Sequence, residues 1–170
     1  MRPGHIADHI KYFLLFFSLQ LLLFKNVAIG GVASCFIYVG LLLLLPIEYN
    51  TFSSLIYSFV SGLLVDLFYN THGINAFACL VLAYVRPYVI NALTPSGGYD
   101  SGALATLAYM GPVWFLRYAF PLIVIHHFIY FMLEAWYFRY IASVLLQTFF
   151  SSLFTIFVLI LTQLIIQRNK

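Results

Sequence analysis

Five carboxylates and five histidines in 170 residues leave few places where this chain can do chemistry. The most conspicuous is Asp66, alone in the apolar stretch GLLVDLFYNTHGINAF from Gly62 to Phe77. A charge at such a place tends to hold helices together, couple to an ion or meet a partner. Its surroundings favour the first role. Asn70 and Gly73 are suited to ending one helix, and the helix opening after Gly73 offers free N–H groups that attract negative charge. Asp66 is expected to accept hydrogen bonds from those donors or from Asn75, as a structural staple. Partner binding and ion coupling are its alternatives.

A second constellation is His127, Tyr130 and Glu134, spaced i, i+3 and i+7 on one helix face. With Asp66 and His72 as conceivable further ligands, it could suggest a metal site. No HExxH or comparable ligand spacing is present, so the reading favours polar groups satisfied inside a bundle. A third pattern is the small-residue stripe Ser54, Ser58, Gly62 and Asp66, every four residues, answered by Ala76, Cys79 and Ala83 after the NTHG turn. Small faces let two membrane helices approach closely, which predicts a tight antiparallel hairpin with Ser58 and Gly62 against Cys79 and Ala83. Gln147, Ser151, Thr155 and Thr162 make a fourth stripe, suited to interhelical hydrogen bonds. No P-loop, nucleophile elbow or paired aspartates occur, so catalysis is not expected. Neither is a metal or other cofactor.

The elements that must position these residues follow from composition. The chain is 64% hydrophobic and 8% charged, against roughly a quarter charged in ordinary soluble domains. So few charges cannot cover a water-facing surface. The apolar runs are continuous rather than alternating, which predicts helices, not a barrel. The expected fold is an all-α, polytopic membrane bundle in a single domain covering residues 1–170. Six spans are expected, at about 10–24, 32–46, 52–69, 74–94, 115–135 and 142–166. Between the fourth and fifth, Ala103 to Leu116 reads as a short interfacial or re-entrant half-helix broken at Gly111-Pro112.

Cys35 and Cys79 lie in apolar runs and read as packing residues. Six basic residues (Arg2, Lys11, Arg86, Arg117, Arg168, Lys170) fall on one side of that layout and two on the other, which predicts cytoplasmic termini. Arg86 is expected to snorkel to the headgroups on that side. The net charge of +3 is not clustered, so no nucleic-acid partner is implied.

The Gly62-x3-Asp66 helix end, the short turn, and Gly73-x-Asn75-Ala76 opening the next helix resemble the rod shape-determining protein family MreD. The likeness in layout runs over most of the chain; its specific part is Gly62 to Ala83. The resemblance implies a non-enzymatic component of the bacterial elongation machinery in the inner membrane. It also implies binding to MreC, a single-span protein, and a link to lateral peptidoglycan synthesis. Gly62, Asp66, Gly73 and Asn75 are the motif positions it carries over. That family is similar in fold to the six-helix substrate-binding S subunits of vitamin transporters, the alternative reading. Against it, the first span, KYFLLFFSLQLLLF, lacks the small-residue stripe such subunits use to meet their coupling partner.

Overall fold

The computed structural model describes residues 12–25 and 27–168; Arg2, Lys11 and Lys170 of the charge count fall outside them. The chain is mostly helical. After α1, Tyr12–Phe24, whose last turn widens to a π-helix at Gln20–Phe24, comes a small antiparallel hairpin of β1, Ala28–Ile29, and β2, Ala33–Ser34. A 3-10 turn, Ile37–Val39, leads into the single helical turn α2, Gly40–Leu43. Then follow α3, Thr51–Tyr69, and α4, Ile74–Ala92. The turn α5, Leu107–Met110, precedes α6, Pro112–Ala135, and α7, Ile141–Arg168.

Among the described residues, four helices (α3, α4, α6 and α7) are long and apolar enough to cross a membrane. The expected third to sixth spans match them closely. Their outward faces carry Phe52, Ile56, Phe59 and Leu67 on α3 and Leu145, Phe149, Phe157 and Ile165 on α7, all exposed. Apolar side chains pointing away from a core need lipid or another protein against them.

The expected six-span layout requires correction. At 32–46 there is no spanning helix. A strand end, a 3-10 turn and one α-turn run instead from the α3–α4 turn end of the bundle to the opposite end, where Pro46 pairs with Leu104 and the Ile47 N–H meets the Ala103 carbonyl at 3.0 Å. Irregular backbone is tolerated at such depth only where protein surrounds it. Here Cys35 to Val39, Leu41 to Leu43 and Leu45 are all at most 4% exposed. Gly40 makes that burial possible: an added Cβ would lie 2.8 Å from Leu159 Cδ1 and 3.0 Å from Phe16 Cε1. The half-helix shrinks to the four residues of α5. Gly111, at φ 79°, breaks the chain there, and Pro112 opens α6 at a position that needs no N–H donor.

The ends of the α3–α4 hairpin are set locally. The Asn50 side chain caps the start of α3 by accepting the Ser53 N–H at 3.1 Å. At the other end Asn70 adopts a left-handed conformation (φ 56°), and Gly73 (φ 93°) precedes α4. Both conformations suit these residue types.

Candidate functional site

The polar interior consists of three connected assemblies. The first closes the α3–α4 hairpin. Asp66, 4% exposed, sits in the last turn of α3. Its Oδ1 accepts the Asn75 backbone N–H at 3.0 Å, the Asn75 side-chain amide at 3.1 Å and the Thr71 hydroxyl; its Oδ2 accepts the Ala76 N–H at 2.8 Å. The carboxylate of one helix thus caps the next, where the exposed N–H groups carry partial positive charge. Four residues earlier, Gly62 allows the close approach. A Cβ there would lie 2.6 Å from Ala76 Cα and 2.7 Å from the Asn75 carbonyl oxygen. Gly62 therefore faces Asn75 and Ala76. Ser58 is fully buried, and its hydroxyl has no hydrogen-bond partner among the described residues.

The second assembly reaches across the bundle from Asn75. Its side-chain amide donates to Asp66 and to Thr71 Oγ1, leaving its carbonyl to accept the Tyr38 hydroxyl at 2.8 Å. Tyr38 then takes a hydrogen bond from His126 Nε2 at 2.9 Å. That direction follows because the tyrosine proton is already committed, and it makes His126 the Nε2–H tautomer. His126 Nδ1, left as a bare lone pair, has no partner among the described residues. His127 takes the opposite tautomer: Nδ1–H donates to the Ile123 carbonyl at 2.8 Å, and Nε2 accepts the Thr155 hydroxyl at 3.0 Å. Both histidines are fully buried.

The third assembly serves the irregular segment 34–46. Outside a regular helix its backbone must find partners elsewhere, and five side chains from four helices supply them. Gln20 of α1 grips two points: its Nε2 donates to the Cys35 carbonyl at 3.1 Å and its Oε1 accepts the Tyr38 N–H at 3.3 Å. From α7, Ser151 accepts the Ser34 N–H at 3.0 Å and Thr155 the Phe36 N–H at 3.1 Å. From α6, the Tyr118 hydroxyl donates to the Leu43 carbonyl at 2.8 Å. From α4, Arg86 Nη2 donates to the Leu45 and Pro46 carbonyls at 2.6 and 3.1 Å, while Nε donates to Tyr118 at 2.7 Å. Arg86 is 3% exposed. It is an internal clamp, not the snorkelling side chain expected, because three oxygens inside the bundle replace its water shell.

The residues singled out in the sequence therefore divide. Gly62, Asp66, Gly73 and Asn75 come together in the hairpin. Ala83 is buried two turns further along α4, beside Arg86. His127 joins α6 to α7. Glu134 stands apart, accepting from Tyr130 at 3.4 Å and lining a cavity of about 310 Å³ with Gln20, Lys25, Tyr69 and Tyr130. Among the described residues, no three His, Cys, Asp or Glu side chains gather as a metal would need. The α7 stripe divides too: Ser151 and Thr155 reach across the bundle, whereas Gln147 bonds Ser143 and Thr162 the Val158 carbonyl of their own helix. Sequence reasoning missed Gln20, Tyr38 and His126. Gln20 had a signal, as a lone amide within a bulky apolar run. Tyr38 had none, since nothing distinguishes it from other aromatic residues in apolar segments.

Fold and polar interior together define a class: a helical, multi-pass membrane protein in which side chains tie the segments to one another. Comparison with known family models, curated proteins and solved structures found no match.

Proposed function

We propose that the chain is a non-catalytic scaffold of the bacterial cell-elongation machinery, similar to MreD. On this reading it sits in the cytoplasmic membrane with both termini in the cytoplasm. It binds a single-span, MreC-like shape protein and helps maintain rod shape through lateral peptidoglycan synthesis. The supporting observation is the α3–α4 hairpin. The four motif residues on which the resemblance rests, Gly62, Asp66, Gly73 and Asn75, form one structural unit there. A motif spent on rigidity suits a protein whose task is to present fixed helix faces.

The test is crosslinking in intact membranes followed by purification of the full chain. Enrichment of a single-span shape protein, reduced by Gly62→Leu, is expected. Recovery of transporter subunits in its place would overturn the reading.

A second reading has an observation of its own. The cavity of about 310 Å³ near the α3–α4 turn, lined by Gln20, Lys25, Tyr69, Tyr130 and Glu134, has the size and mixed polarity of a small-molecule site. It favours an S-type, substrate-binding transporter subunit. A vitamin that raises the melting temperature of the purified protein would support this reading over the first.

A further inference from the structure

At the bundle end opposite the α3–α4 turn lies a cavity of about 290 Å³ whose wall includes Arg86, Ser54, Thr51 and Asn91. Three features give it a chemical character. First, Arg86 is 3% exposed, yet all three of its hydrogen bonds end on neutral oxygens, those of Tyr118, Leu45 and Pro46. Its Nη1 has no hydrogen bond among the described residues. A guanidinium buried with no ion pair among the described residues is costly, and an anion would relieve that cost. Second, α3 begins here. Asn50 occupies the Ser53 N–H, which leaves the N–H groups of Thr51 and Phe52 at the positive end of a 19-residue helix. Third, Ser54 is 3% exposed and, with Thr51 and the Asn91 amide, adds hydrogen-bonding groups to the same wall.

We infer that this cavity binds a phosphate ester anion, with Arg86 and the first turn of α3 as its principal donors. Guanidinium groups and helix N-termini are both matched to phosphate oxygens. The cavity also has an acidic wall. Glu48 lines it, with its Oε2 held toward the 95–106 loop by the Gly102 N–H at 3.4 Å. Pro87, having no N–H, leaves the neighbouring Ala83 carbonyl without its helical donor. An amine carried beside the phosphate would meet both acceptors, so ethanolamine phosphate is the best-fitting headgroup. The phosphate can come from a membrane lipid or from a soluble compound, and the experiment separates the two.

Arg86→Met would also break the clamp on Leu45 and Pro46, so it is not the deciding variant. Ser54→Asp is: it sets a carboxylate on the cavity wall near the start of α3, where negative charge suits the helix, at a residue that is none of Arg86's hydrogen-bond partners. The full-length protein and this variant are purified in detergent. Native mass spectrometry reads adducts of phosphatidylethanolamine and phosphatidylglycerol, and thermal shift reads inorganic phosphate. A carboxylate that competes with the phosphate for the Arg86 guanidinium predicts about tenfold weaker binding in Ser54→Asp, with the melting temperature of the unliganded protein no lower than the native one's. Lipid adducts on the native protein that are lost in the variant support the proposal with a headgroup as ligand. Stabilisation by inorganic phosphate alone, also lost in the variant, supports it with a soluble source. Absence of both, or equal binding by the two proteins, would overturn it.

Discussion

The α3–α4 hairpin and the segment 34–46 solve the same problem in opposite ways. Both must satisfy their backbone where water is scarce. In the hairpin nearly every backbone group is paired within its own helix, and side chains work only at the seam, where Gly62 lets the helices touch and Asp66 caps α4. Segment 34–46 forms only a 3-10 turn and one α-turn, so Gln20, Arg86, Tyr118, Ser151 and Thr155 supply further pairing from four separate helices. A helix that faces lipid must be self-sufficient; a segment enclosed by protein can borrow its partners. The hairpin should therefore fail through steric or cap lesions at one place. The segment should fail by small steps, one borrowed bond at a time.

The largest effect is expected at the seam. In Gly62→Leu the new side chain meets backbone atoms of Asn75 and Ala76, which cannot move aside as a side-chain tip can. Overpacking of this kind costs about 3 kcal/mol or more, and the measurement is the yield of folded protein in detergent together with its melting temperature. Asp66→Asn comes next. It keeps the shape but loses a charged acceptor for four donors, at about 2–3 kcal/mol; reversible denaturant unfolding checks it. Gln20→Leu leaves the Cys35 carbonyl and the Tyr38 N–H without partners and should cost about 2 kcal/mol by the same measurement. Ser151→Ala removes one acceptor, that of the Ser34 N–H, and should cost about 1 kcal/mol. If Ser151→Ala proved as damaging as Gly62→Leu, the contrast between the two regions would collapse.

What the sequence discloses follows the same division. The four long helices were legible because each is a continuous apolar stretch, and the hairpin turn was marked by Asn70 and Gly73. Asp66 was legible as a local feature, since its partners lie only five to ten residues ahead. The path of 34–46 was not. Its apolarity, as in Phe36 to Leu45, reads the same for a spanning helix and for chain buried on all sides. Its partners lie up to 119 residues away, and no local spacing encodes that distance. Arg86 was misplaced for the same reason. Its position in α4 suggested a reach to the headgroups, but the three oxygens that hold it belong to Leu45, Pro46 and Tyr118.

The most direct test is residue-resolved amide hydrogen exchange on Thr155→Val, which keeps the side chain's shape but removes the hydroxyl that accepts the Phe36 N–H. Borrowed pairing predicts that exchange quickens at Phe36 and its neighbours, while the amides of α3 and α4 stay as protected as in the native protein. Unchanged protection at Phe36 would contradict it.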